Sequence, residues 1–309
     1  MNILVTGVTG YVGSLMAQRL SRDGHAVTGF ARHPDRVARP GAVAILQGDA
    51  VSGAGLAAAL ARVDVAYFLI HSMEAAANAT DGPFASRERV AAERFAAAAS
   101  AAGVRRIVYL GGLLPPGGPQ SDHLASRAAV EEILRDAVPD TVVLRASIVI
   151  GARSRSFRFL VRLVERLPVL AVPGWRRNRT APIDERDVVE FLSRAATSEH
   201  VGGATLDLGG PDVVSYGELI DRIADLMLLD RPAVRFDRLT VTPIAGRMAA
   251  LIAGEQYELV GPLMESLNSD LLPDPARAPR ALDVKLHSLD AAIERALREW
   301  ERDEPLAAR

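Results

Sequence analysis

Cysteine is absent from the chain and lysine nearly so, Lys285 being the only one. The first absence excludes disulfides, thiolate metal sites and a cysteine nucleophile together. The second takes lysine out of nearly every candidate site. No uncharged apolar segment reaches the roughly 18 residues that a membrane-spanning helix needs. There is also no excess of charge of one sign: the net charge is −2, with both signs spread along 309 residues, so neither a nucleic-acid face nor a polybasic membrane patch is expected. The length fits one large domain or two intimately joined ones. The first core strand begins at residue 3, leaving no room for a signal peptide, and a reducing, cytoplasmic home is expected. No internal repeat is visible, and no metal site is read.

The chain is organised around its opening residues, Met-Asn-Ile-Leu-Val-Thr-Gly-Val-Thr-Gly-Tyr-Val-Gly. Ile3, Leu4 and Val5 form a short apolar run that stops at Thr6 and Gly7. An amphipathic helical pattern carrying Val12, Leu15, Met16 and Leu20 follows at once. Glycines at 7, 10 and 13 allow a sharp turn, close approach of a diphosphate to the backbone, and tight packing of helix on strand. Free N–H groups at the helix start then face the anion. A second strand pattern at Ala26 to Phe30 completes the context in which such a glycine pattern is informative. The expected dinucleotide contacts are Thr6, Gly7, Thr9, Gly10, Tyr11, Val12 and Gly13.

About twenty residues after a turn of this kind, an acid bonds the adenosine ribose hydroxyl, whereas an arginine accommodates a 2′-phosphate. Here that place holds Arg32, which favours NADP(H) over NAD(H); Asp35, beyond Pro34, is the alternative acid. Strand three, Val43 to Leu46, leads to Asp49 and Ala50 as adenine-side contacts. Strand four, Val63 to Ile70, places Leu69, Ile70 and His71 further along the dinucleotide. A helix over 84–102 precedes strand five, Arg105 to Leu110, which ends at Gly111 and Gly112. A helix from Ser121 to about Ala137 carries His123 and Arg127 on one face. Strand six, Thr141 to Ile150, is a nearly continuous apolar run interrupted by Arg145 and Ser147, as expected of a parallel strand buried on both faces.

Six strands alternating with helices predict an α/β, Rossmann-type doubly wound parallel sheet over residues 1–150. Residues 151–309 read as a smaller, mostly helical substrate lobe, with about 181–209 returning to the Rossmann core. In it the pattern predicts a basic amphipathic helix at 154–167 and a helix capped by Asp184. An extra strand returning to the sheet follows at Thr205 to Leu208. A capping-box helix from Ser215, two apolar helical patterns in 242–267 and an amphipathic helix at 288–300 complete the lobe.

Thr6-Gly7-Val8-Thr9-Gly10-Tyr11-Val12-Gly13, the arginine after strand two, Gly48-Asp49 and Leu144 to Gly151 resemble the atypical short-chain dehydrogenase/reductases, in particular their NAD(P)H-binding, NmrA-like branch. Pro182-Ile183 with Asp187-Val188, and Leu208-Gly209-Gly210-Pro211, extend the likeness over roughly residues 1–230. The resemblance implies a Rossmann fold with a small C-terminal substrate lobe, NADP(H) as ligand, and a cleft between the two. It also exposes a departure. Catalytic members of the wider superfamily use a Tyr-x-x-x-Lys pair on the helix after strand five and a serine at that strand's end. Here the strand ends in Gly111-Gly112 and the helix offers His123-x-x-x-Arg127.

Hydride transfer is the cofactor's chemistry, leaving the protein to orient the nicotinamide, exclude water and manage one proton. His123 is the candidate general acid, and Arg127 the candidate for a ribose contact or for stabilising negative charge. Ser121 and Asp122 stand beside them. On the substrate side, Arg153, Arg155 and Arg158 with Phe157 are candidates to meet a small molecule; the plainer reading of the arginines is a solvated helix face. Two functions follow. One is an NADPH-dependent reductase of a small, apolar carbonyl or activated alkene compound. The other is a non-catalytic NADP(H)-binding regulator acting through a protein partner. A sugar-nucleotide epimerase or dehydratase, which needs the tyrosine, ranks third. Oligomerisation is left open.

Overall fold

The computed structural model describes residues 1–37, 43–70, 84–119, 121–166, 170–172, 174–229, 233–235, 269–304 and 306. His71 and the apolar patterns of 242–267 lie outside the described residues. In chain order the main elements are β1 (Asn2–Thr6), α1 (Tyr11–Arg22), β2 (Ala26–Ala31), β3 (Ala44–Gln47), α2 (Leu56–Leu60), β4 (Val65–Phe68) and α3 (Phe84–Ala101). They continue with β5 (Arg106–Gly112), α4 (Asp122–Ala137), β6 (Val142–Ala146), α5 (Arg155–Arg166), α6 (Glu185–Thr197) and α7 (Tyr216–Leu226). A strand at Thr205–Leu208 and a last helix at Leu289–Asp303 complete the frame.

Seven parallel strands form the central sheet, in the order Thr205–Leu208, β6, β5, β4, β1, β2, β3. The alternation of side chains along β1 shows how it is covered. Ile3 and Val5 join a cluster with Met16 and Leu20 of α1 and Phe191 and Leu192 of α6. Leu4 points the other way, into a cluster with Leu60, Phe95, Val130 and Leu134 from α2, α3 and α4. Both faces are therefore buried, as right-handed crossovers require of a parallel sheet. The order reverses beside β1, which has β2 on one side and β4 on the other. The carboxyl ends of these strands open the crevice in which doubly wound sheets bind ligands.

A third cluster lies off the sheet. It joins Phe157 and Val161 of α5, Tyr216 and Ile220 of α7, and Ile293 and Trp300 of the last helix. The Arg158 and Arg162 guanidinium groups lie 4.1 and 4.9 Å from the centre of the Trp300 ring, and Glu304 accepts from both arginines. Local capping fixes the helices that frame this lobe. Asp184 accepts from Arg186 N–H at 2.7 Å, and Ser215 and Glu218 close a reciprocal capping box.

Two strand expectations are corrected. Strand four is shorter than its apolar run, spanning Val65–Phe68. Strand six ends at Ala146. Ser147 N–H still bonds Leu208 C=O at 3.0 Å, but Val149–Ile150 leaves the sheet and pairs with Ile183–Asp184. The apolar run is continuous because both segments are buried, although they are buried in different places.

Candidate functional site

Gly7 has φ +66°, a left-handed backbone that side chains rarely adopt, and a Cβ there would lie 2.4 Å from Leu69 C=O on the β4 side. A Cβ on Gly13 would lie 2.2 Å from Gly7 C=O, so α1 packs on the turn only because residue 13 has no side chain. Gly10 closes the turn with an N–H bond to Gly7 C=O at 2.8 Å. It opens α1 with no side-chain cap and no acid in the first turn. The N–H groups of that first turn lack helical acceptors and point at the crevice, the arrangement that suits a diphosphate. Thr9 and Gly10 are exposed, and Gly13 is buried beneath them.

Two expected contacts are revised by the geometry. Thr6 is fully buried; its hydroxyl donates to Tyr67 C=O at 2.9 Å and accepts from Leu69 N–H at 3.2 Å, so its side chain sets the spacing of the two strand ends. The Tyr11 phenol donates to Glu185, which also accepts from Arg295 at 2.5 Å. Burial first, then the negative charge and hydrogen bond of Glu185, hold this phenol well above its ordinary pKa. Its backbone remains part of the open helix start.

Arg32 is exposed at the carboxyl end of β2, and among the described residues no carboxylate pairs with its guanidinium. The Asp49 carboxylate accepts from Val51 N–H at 2.9 Å in a local turn, and Ala50 is buried beside it. Leu69 and Ile70 are half-buried at the end of β4. A row of groups thus follows the carboxyl edge, from Arg32 through the glycine turn to β4. This donor set fits a pyridine dinucleotide: a backbone cradle closed to side chains at Gly7 and Gly13, an uncapped helix start, and an uncommitted arginine at the ribose end.

Beyond β4 on the same edge, a cavity of about 150 Å³ lies between the ends of β5 and β6 and the lobe. Gly112, Leu113, His123, Leu124, Ser147 and Ile148 line its sheet side. Ser156, Phe159, Leu160, Thr180, Tyr216 and Leu271 line its lobe side. Ser147 Oγ lies 2.8 Å from Thr180 Oγ1, and the Tyr216 phenol is hydrogen-bonded to Thr180. Burial pushes the phenol up to about 12, with the Thr180 bond opposing it, so it stays protonated at neutral pH. A larger depression, about 490 Å³, lies at the outer strand among Glu131, Arg135, Arg145, Asp207, Asp274 and Arg277. It is strongly charged, with Arg145 held by Glu131 at 2.9 and 3.0 Å, and it lies on the far side of β5 and β6 from the glycine turn. The smaller, apolar cavity is the one that continues the carboxyl edge from the glycine turn.

His123 and Arg127 share a helix face but have different surroundings. His123 borders the cavity. Arg127 does not: it is buried, donating to Glu88 at 2.8 Å and to Leu110 C=O at 2.9 Å, with its guanidinium 5.3 Å from the centre of the Tyr109 ring. Glu88 is 0% exposed and also accepts from Ser126 at 2.6 Å. The catalytic expectation for Arg127 is therefore corrected: the ion pair ties α3, α4 and β5 together. Ser121 is committed as the cap of α4, accepting from Leu124 N–H at 3.2 Å. Phe157 is likewise corrected, being 0% exposed in the lobe core, whereas Ser156, Phe159 and Leu160 are the α5 residues that meet the cavity. Arg153 and Arg155 are exposed, and Arg158 is engaged by Glu304 and Trp300. Gly111 is buried at the end of β5, where an added Cβ would lie 3.2 Å from the Tyr109 ring, and Gly112 borders the cavity. Sequence reading missed Thr180, Tyr216 and Leu271. For Ser147 a signal existed, since a hydroxyl interrupts an otherwise apolar strand.

The glycine turn, the crevice and the donors around it define a pyridine-nucleotide-binding Rossmann protein. A family model described as NAD(P)H-binding matches residues 7–148. The chain is 32% identical over 247 residues to (4-alkanoyl-5-oxo-2,5-dihydrofuran-3-yl)methyl phosphate reductase of Streptomyces griseus, with 77% of each chain covered. It is 26% identical over 255 residues to NADH dehydrogenase (ubiquinone) 1 alpha subcomplex subunit 9, mitochondrial, of Arabidopsis thaliana. That match covers 80% of this chain and spans 62% of the relative's length. Among solved structures, a short-chain dehydrogenase/reductase superfamily protein from Agrobacterium tumefaciens with bound NAD has a TM-score of 0.71 at 21% identity, with 98% of each chain covered. UDP-glucuronic acid 4-epimerase from Bacillus cereus in complex with NAD has a TM-score of 0.74 at 15% identity, covering 98% of this chain and 99% of that one. At such identities the likeness is one of fold. The chain belongs to the atypical short-chain dehydrogenase/reductases. Among the described residues no helix is long and apolar enough to cross a membrane.

Proposed function

We propose that the protein is an NADP(H)-dependent reductase of a small carbonyl or activated alkene compound, within the NmrA-like branch, with His123 handling the proton. The observation that carries this reading is the position of His123 on an apolar cavity that continues the carboxyl edge from the glycine turn. A dinucleotide laid along that edge, with its adenosine phosphate at Arg32 and its diphosphate on the start of α1, directs its nicotinamide toward the ends of β4 and β5. When bound, that cofactor supplies the reducing equivalent. The chain's residues hold it, exclude water through Leu124, Phe159 and Leu160, and present an imidazole whose ordinary pKa lies near neutrality. Asp49 and Ala50 border the adenine, and Leu69 and Ile70 border the middle of the dinucleotide. Residues 151–309 act as the substrate-side cap. The Streptomyces relative, a reductase by name, favours catalysis over the regulator reading, for which no observation speaks.

The test is oxidation of NADPH and NADH by purified protein across ketones, aldehydes, quinones and enones, with His123→Ala in parallel. Substrate-dependent oxidation, faster with NADPH and reduced about 10²-fold or more in the variant, is the expected result. Turnover unchanged in His123→Ala would remove its assigned role, and tight NADPH binding without turnover of any compound would return weight to the regulator.

A further inference from the structure

We propose that Ser147 supplies the hydroxyl that holds the oxygen of a compact ring ketone or enone in the cavity, with Thr180 and Tyr216 behind it as positioning residues. This rests on the reductase reading and names the substrate class of the same site. The parallel register sets Gly112 of β5 beside Ala146 of β6. Ser147, the next residue, therefore stands just past the end of the neighbouring strand, beside the strand end where the serine of the wider superfamily is missing. It is half-buried and borders the cavity together with His123.

Tyr216 and Thr180 are each 1% exposed, and Thr180 is the phenol's partner among the described residues. The Ser147–Thr180 contact can be made with either hydroxyl as donor; with Thr180 donating, the Ser147 proton is left for an acceptor in the cavity. The backbones beneath are pinned: Ser147 N–H to Leu208 C=O at 3.0 Å, Tyr216 N–H to Asn178 C=O at 3.0 Å, and Thr180 in register with Val214. The donor is thus preorganised, and its bond strengthens as negative charge gathers on the substrate oxygen. Around it the walls are apolar, with Leu113, Leu124, Ile148, Phe159 and Leu160. A volume of about 150 Å³ is that of a cavity that takes a benzene-sized molecule. One oxygen acceptor on a five- or six-membered ring matches both the volume and the Ser147 hydroxyl.

The experiment titrates 2-cyclopenten-1-one into protein saturated with NADP⁺, where no reduction occurs, and reads the dissociation constant by calorimetry and the carbonyl stretch of the bound enone by infrared difference spectroscopy. The wild type is expected to bind it with the carbonyl band lowered from its position in apolar solvent. Ser147→Ala should weaken binding about tenfold and return the band toward that position. Thr180→Val should move both readings the same way by less, and it reads the chain independently if the alanine variant fails to fold. An unchanged constant and band in folded Ser147→Ala, or no binding of the enone to the NADP⁺-loaded protein, overturns the proposal while leaving the reductase reading standing. Failure to bind NADP⁺ at all overturns both.

Discussion

Arg32 and Arg127 show how much a residue's meaning depends on what surrounds it. Arg32 is exposed at a strand end, uncommitted among the described residues, where a phosphate would find it. Replacing it with glutamate is expected to weaken NADPH binding at least tenfold and to leave NADH binding nearly unchanged, read by quenching of intrinsic fluorescence in parallel titrations. Equal loss for both nucleotides would remove Arg32 from the 2′-phosphate. Arg127 is the opposite case. Removing its guanidinium takes a charged partner from Glu88, which is 0% exposed, so Arg127→Met should cost about 3–5 kcal/mol of stability in urea denaturation. His123→Ala, on the cavity wall, should cost far less while still slowing turnover. The sequence shows a His/Arg pair on one helix face but gives no sign that the arginine's partner lies 39 residues earlier, on α3. The glycine turn was legible because its constraints are local: a positive φ at Gly7 and a steric limit at Gly13, both set within the turn and the strand ends beside it.

Elements were legible where caps and periodicity are local, as at Asp184, at Ser215 with Glu218, and in the last helix. They were misread where burial alone makes a run apolar, as at Val149–Ile150. How elements brace one another was out of reach of sequence. Glu190 of α6 accepts from Arg19 of α1 and Arg194 of its own helix, both at 2.6 Å. Partial burial would raise its pKa, but the two arginines outweigh it and hold the carboxyl below its ordinary 4.5. The folded protein therefore binds this proton less readily than the unfolded chain. The stabilisation is present above pH 4.5 and is lost as pH falls through the lowered folded value. Thermal melts from pH 6 to 3 should show a shallower acid decline in Glu190→Gln than in the wild type; parallel curves would deny Glu190 a share. In the lobe, Trp300 is 1% exposed at the centre of the cluster that docks the last helix on α5 and α7. Trp300→Ala should cost about 3–5 kcal/mol, and hydrogen exchange should place the loss in residues 289–303 and 155–166 before the sheet.

For the whole molecule, sequence pattern reaches the Rossmann sheet and the cofactor edge, because strand order follows from alternation with helices and the turn lies in one stretch. The cavity was not legible, since its walls come from β5, α4, the end of β6, α5, Thr180, Tyr216 and Leu271, which only the folded chain brings together. The same long-range assembly appears in Tyr11, Glu185 and Arg295, which join the first residue of α1, the first of α6 and the last helix in one partly buried network. Glu185 is the hub, with its side chain 7% exposed and one neighbour on each side. Ordering of the α1 start by a dinucleotide should then be felt in the lobe as well as in the sheet. At a concentration of about 100 times its Kd, NADPH should raise global stability by about 2.7 kcal/mol and shift a single unfolding transition. Arg295→Met leaves the dinucleotide cradle intact but removes the lobe's hold on Glu185. In that variant NADPH should still protect the amides of β1, α1 and β4 from exchange, while protection of residues 289–303 becomes independent of NADPH. If the last helix keeps its NADPH-dependent protection without Arg295, the coupling runs through the apolar contacts of the lobe and not through this network.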